Sequence, residues 1–360
     1  MKRRLTAAAS ALALSAAALP AAAEQVTVMS WGDAYTKSQV EAYYKPFTAA
    51  TGIEIVSVDA DNPAIPIKAM VEAGNVSIDV ADVEFADAVR LCDEGLLEDI
   101  DHSILSPGAD GSSPEDDFVP GSLVDCFVPT IVYTIAVAYD TTKFPEKPTS
   151  IADFFDLEKF PGKRSMRRNA KSNLEMALMA DGVPAAEVYD VLSTPEGVDR
   201  AFAKLDTIKS QMIWWEAGAQ APQLLADGEV AMAAAFNGRI FAAAVGEGKP
   251  FEILWDGQVY ETEGYVIPKG AKNVEGALKF IAYASQPQQL ADQASWISYG
   301  PARKSSGPLV GMYQDGKTDM KPHMPTAAEN LTNALPSSYE FWVDHDSELN
   351  ERFNAWLAAG

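Results

Sequence analysis

VPTIVYTIAVAY, residues 128–139, is an apolar, β-rich run longer than the ordinary strand of about 5–6 residues. A strand of that length leaves one packing unit and enters another. On its N-terminal side, residues 26–30 (VTVMS) and 53–58 (IEIVSV) are β-branched and alternate, and residues 78–83 (IDVADV) give a third strand. Between and after them, residues 38–50, 65–73 and 86–94 carry helical spacing, each closed by a glycine signal at Gly52, Gly74 or Gly95. Strand–helix alternation with short glycine-marked joins predicts a parallel sheet covered by helices. On the C-terminal side, residues 140–261 build a second α/β unit, with helices over 173–181, 195–209 and 221–228 and a strand over 230–235. A second β run at 265–268 (YVIP) returns the chain, a helix follows over 273–285, and residues 347–358 are again helical. Two α/β lobes joined by two crossing segments leave a cleft between them, a preferred place for a ligand.

The first residues set the compartment. Lys2, Arg3 and Arg4 precede an uncharged apolar stretch over residues 5–18, and Pro20 precedes Ala21-Ala22-Ala23. That is the layout of a secretory signal peptide cleaved after Ala23, with Glu24 opening the mature chain. The export route predicts a periplasmic protein. Its two cysteines, Cys92 and Cys126, are then expected to pair in an oxidising compartment, closing a loop worth about 3–4 kcal/mol on the chain-entropy account.

The net charge of −23 excludes nucleic-acid binding through the overall field, which needs a basic footprint. The acidity suits solubility or, alternatively, a mild attraction for cations, and charge alone does not choose between them. No metal is expected, because two Cys and three scattered His (His102, His323, His345) show no ligand spacing. Residues 311–318 (GMYQDGKT) fit the phosphate-loop pattern. The pattern needs a strand before it and a helix after it, whereas Ser305-Ser306-Gly307-Pro308 precedes it and Pro322 and Pro325 follow, so the match is read as chance. No G-x-S-x-G, HExxH or CxxC occurs. No cofactor and no enzyme activity are expected.

The mature chain resembles the spermidine/putrescine-binding proteins of ABC importers. Four segments carry the resemblance: 29–35 (MSWGDAY) with 47–53, 79–83 (DVADV) with 92–97, 227–239 (DGEV through FNGR), and 264–279 (GYVIPKGAKNVEGALK). It implies an α/β, two-lobe periplasmic binding protein fold of type II. On this frame lobe 1 takes 24–135, lobe 2 takes 136–262, 263–305 return to lobe 1, and 306–360 rejoin lobe 2. It also implies a monomer that delivers a small amine to an inner-membrane ABC permease. Such proteins hold an alkyl chain between rings and each amino group by carboxylates, through cation–π attraction and charge-assisted hydrogen bonds.

Position by position, the resemblance implies ligand contacts at Trp31, Asp33, Glu84, Phe236, Glu263 and Tyr299. This chain departs from the family pattern in several places. A ring position falls on Glu261, and the acids for a far amino group fall on the neutral Asn169 and Ser172. Arg239 stands where relatives carry serine or aspartate, and an arginine suits a carboxylate, which it can meet with two hydrogen bonds. The combination points to an ω-amino acid such as 4-aminobutyrate, with its ammonium on Glu263, its carboxylate on Arg239 and its methylenes against Trp31 and Phe236. Two other readings stay open. A polyamine receptor is favoured by the acids Asp33, Glu84, Glu261 and Glu263, and an exported hydrolase would need a carboxylate pair that nothing in the sequence singles out.

Overall fold

The computed structural model describes residues 24–359; the leader and its cleavage point after Ala23 lie outside them. Ten strands form one sheet: β1 (Gln25–Ser30), β2 (Glu54–Asp59), β3 (Val80–Glu84), β4 (Val128–Asp140), β5 (Arg164–Arg167), β6 (Met212–Trp215), β7 (Met232–Phe236), β8 (Phe251–Val266), β9 (Gly300–Pro301) and β10 (Leu335–Pro336). Their order is β2-β1-β3-β8-β4-β7-β5-β6, with β9 beside β4 and β10 beside β8. Strands β1, β2 and β3 pair in parallel, as do β5, β6 and β7. Strands β4 and β8 run antiparallel to each other and to β7 and β3, the neighbours that flank them.

Strands β4 and β8 are the two crossing segments. Their first-lobe halves pair Val128 with Tyr265 through Ile135 with Val259; the register then shifts, and Val137 pairs with Leu254. Gly257 lies in the displaced loop of β8 with φ 74°, and a Cβ there would stand 2.4 Å from Ile151. Only glycine fits both demands. β8 is far longer than the run expected at 265–268, because Glu252, Glu261, Glu263 and Gly257 interrupt the apolar alternation that marks a strand.

The cores centre on each lobe, and the second-lobe cluster also takes in Trp31, Tyr35 and Ala86 from the first. Val26, Val28, Phe47, Tyr265 and Phe280 pack on one face of the first-lobe strands, and Met29, Val83, Phe85, Leu91 and Phe127 on the other. The disulfide Cys92–Cys126 joins the helix Phe85–Asp93 to the segment entering β4. The second-lobe core gathers Phe154, Met166, Leu174, Phe202 and Trp215, and takes Trp342 and Phe353 from the helix Tyr339–Ala358. That helix begins well before the expected residue 347, where Ser338 Oγ accepts the Phe341 N–H at 3.2 Å. Acids at 340, 344, 346 and 348 mask its apolar stripe in the sequence.

In the phosphate-loop lookalike, the Asp315 carboxylate accepts the N–H groups of Lys317 and Thr318 at 2.8 and 2.9 Å and the Thr318 hydroxyl at 2.8 Å. The turn satisfies itself and does not open a helix. No helix among the described residues is long and apolar enough to cross a membrane.

Candidate ligand site between the lobes

The site begins with the register of β3, β8 and β4. Asp82 lies opposite Tyr265, Glu84 opposite Glu263, and Tyr133 opposite Glu261. Side chains alternate along a strand, so Asp82, Glu84, Glu261 and Glu263 share one face. All four are buried. Unpaired carboxylates in such a place would be strongly destabilising, and the structure treats the four differently.

Glu84 accepts from Arg167 at 2.8 Å and from Lys171 at 2.5 Å. Burial acts to raise its pKa, but Lys171 and then Arg167 outweigh it and hold the carboxyl at about 2. Glu261 accepts from Lys171 at 2.6 Å, from the Tyr133 hydroxyl at 3.0 Å and from the Ala86 N–H at 3.3 Å. Asp82 accepts from Tyr35 at 2.9 Å and from the Gln39 amide, and burial raises it to about 7. Glu263 is pushed well above the carboxylate range, first by burial and then by Asp82 beside it. Glu263 Oε1 and Asp82 Oδ1 are buried without a hydrogen-bond partner among the described residues.

Next to the acids stand the rings. Trp31 follows β1 and Phe236 ends β7, with ring centroids 6.5 Å apart. Tyr133 and Trp215 pack on Phe236 at 5.5 and 5.4 Å. Two guanidiniums lie over Phe236, Arg167 at 5.4 Å and Arg239 at 5.0 Å, and Arg167 also lies 5.5 Å from the Trp31 ring. Arg239 donates to the Tyr299 hydroxyl at 3.2 Å and to the Trp31 carbonyl at 3.1 Å. Its Nε and the Trp31 indole N–H have no partner among the described residues. Tyr299 packs edge-on against Tyr35 at 5.3 Å, which links the arginine side of the site to Asp82. The contacts Arg239–Trp31, Arg167–Glu84 and Lys171–Glu84 all run from one lobe to the other.

Contacts thus link Trp31, Phe236, Arg239 and Tyr299 into one buried cluster, which Glu84 meets through Arg167, with Glu263 beside Glu84 across the β3–β8 pair. Asp33 is exposed and borders a cavity of about 230 Å³ that Arg239 and Lys249 also line. Sequence reasoning missed Arg167, Lys171, Asp82, Tyr35 and Tyr133. It stopped at the neutral Asn169 and Ser172, although both cations lie in the same six residues. Trp214 and Trp215 divide as adjacent strand residues must: Trp215 backs Phe236, and Trp214 packs on Phe353 at 5.2 Å.

Residues 42–326 match the family described as bacterial extracellular solute-binding protein. The chain belongs to this family. A gamma-aminobutyric acid-binding protein of Pseudomonas aeruginosa is 47% identical to it over 343 residues, covering 95% of this chain and 94% of that one. A spermidine/putrescine-binding periplasmic protein of Salmonella typhimurium is 27% identical over 291 residues, 76% of this chain and 80% of that one. A solved GABA receptor superposes with a TM-score of 0.79 at 33% identity, covering 94% of this chain and 98% of that one. The extracellular solute-binding protein described here therefore has the type II two-lobe fold. It captures a solute and is not an enzyme.

Proposed function

We propose that this solute-binding protein captures a zwitterionic ω-amino acid such as 4-aminobutyrate in the periplasm and, as a monomer, hands it to the permease of an ABC importer. The reading rests on the charge left over in the cleft. Glu84 and Glu261 are occupied by Arg167 and Lys171, so the acids free to meet an ammonium are Glu263 and Asp82. Arg239, by contrast, makes only neutral contacts and can take a carboxylate, with Arg167 over the same Phe236 ring. A ligand with one ammonium, a short methylene chain and one carboxylate complements that arrangement, its chain lying against Trp31 and Phe236. A diamine would place its second ammonium among guanidiniums. The gamma-aminobutyric acid-binding relative and the solved GABA receptor favour the same ligand.

A thermal-shift panel tests it, since a ligand that binds only the folded state raises the melting temperature by linkage. Expected are upward shifts with 4-aminobutyrate or 5-aminovalerate and none with putrescine or spermidine. A shift with putrescine and none with either amino acid would overturn the proposal.

A further inference from the structure

Lys171 stands in an arrangement that the proposed ligand does not need. Its side chain is only 8% exposed, and its ammonium is 2.5 Å from Glu84 Oε2 and 2.6 Å from Glu261 Oε2. The Tyr133 hydroxyl donates to that same Glu261 oxygen at 3.0 Å, and the Tyr133 ring packs on Phe236. Two carboxylates, one of them also held by a phenol hydroxyl, are what a free primary ammonium would require of a binding site. The cage adjoins the Trp31–Phe236 pair through Arg167, which bonds the other oxygen of Glu84 at 2.8 Å. A cavity of about 550 Å³ is bordered by Glu84, Arg167 and Lys171.

We propose that Lys171 is a built-in occupant of a second ammonium site, and that by filling this site it excludes diamines and polyamines and limits the receptor to ligands with a single ammonium. The inference rests on the zwitterion reading above for the ligand that remains. Without Lys171, Glu84 keeps Arg167, but Glu261 keeps only a hydroxyl and one backbone N–H. A buried carboxylate stripped of its cation is strongly destabilising, and the second ammonium of a diamine can replace the lost one. A lysine that merely tied the lobes together would behave otherwise. Its loss would weaken every ligand alike.

The test is calorimetry of Lys171→Ala and of the charge-balanced Lys171→Met/Glu261→Gln, each titrated with putrescine and with 4-aminobutyrate. Putrescine should bind Lys171→Ala about a hundredfold or more tighter than wild type, and the double variant should show no such gain. An unchanged putrescine affinity in a folded Lys171→Ala protein, or an equal gain in the double variant, overturns the proposal. If Lys171→Ala does not fold alone, millimolar putrescine should restore its cooperative melting and 4-aminobutyrate should not. A protein that stays unfolded with putrescine also overturns it. Titrating the wild type with 4-aminobutyrate tests the proposed function separately, because failure there leaves the putrescine result on Lys171→Ala unaffected.

Discussion

Glu263 and Asp82 make the site responsive to pH. Both hold protons at pH values where ordinary carboxyls have lost them: Glu263 is raised by burial and by Asp82, and Asp82 is raised from 3.8 to about 7 by burial. An arriving ammonium favours the ionised pair, so binding expels a proton. Affinity for 4-aminobutyrate should therefore rise with pH, by up to about tenfold per unit while the pair is still protonated in the free protein. Titrations in buffers of different ionisation enthalpy should report on the order of one proton released. Glu263→Gln should bind more weakly and flatten that dependence; an unchanged slope would show that another group titrates. The free protein follows the opposite sign. Between 3.8 and about 7 the folded state keeps an Asp82 proton that the unfolded chain has lost, so stability falls as pH rises through this window. Buried Glu175, raised to about 7, acts in the same direction. At the other end of the ligand, Arg239→Ala should cost about 2–5 kcal/mol of affinity for 4-aminobutyrate, the range for truncating one partner of a buried charge pair.

Among the elements, those with clean periodicity are readable in the sequence, β3, β4 and β7 of the site among them, whereas most of β8 and the short β5 and β6 are not. The strands at 26–30, 53–58 and 78–83 emerge close to where alternation puts them, as β1, β2 and β3. The crossing strand at 128–139 emerges as β4, whose thirteen residues are all buried. β8 was hidden because its second half carries the site, and a strand that presents Glu261 and Glu263 to a cleft cannot also read as apolar. The short strands β5 and β6 lie in stretches too brief for a pattern. Lys171 depended on the turn that follows β5. Ser172 has φ 69°, a backbone conformation rare outside glycine, directly after Lys171, and alternation does not predict where side chains of such a turn face. Trp31, Phe236 and Glu263 are implied by the family resemblance and Arg239 by a departure from the family pattern, and the structure sets Trp31 beside Phe236 with Arg239 over the same ring. The disulfide, expected from the compartment, fixes the helix Phe85–Asp93 against the chain entering β4. Cys92→Ala/Cys126→Ala should lose about 3–4 kcal/mol in urea unfolding with no change in ligand affinity. A fall in affinity would mean that the bond also aligns Glu84, which directly precedes that helix.

At the scale of the whole molecule, β4 and β8 are the long strands that join the two lobes, and the contacts between the lobes come from the residues proposed to select the ligand. Arg239 reaches the Trp31 carbonyl across the cleft, and Arg167 and Lys171 reach Glu84. On the proposed reading, capture and closure are one event: a carboxylate on Arg239 and an ammonium on Glu263 would add ties between halves that β4 and β8 already join. Closure around a ligand by hinge motion is a known mode of domain movement. The central claim is that the cleft reads opposite charges at opposite ends of one short chain. A crystal structure with 4-aminobutyrate tests this most directly. The account predicts closed lobes, the ammonium within hydrogen-bonding distance of Glu263 Oε1 and Asp82 Oδ1, the methylenes against Trp31 and Phe236, and the carboxylate on Arg239 with Arg167 nearby. A ligand bound in the reverse sense, or one held by Glu84 with Lys171 displaced, would contradict it.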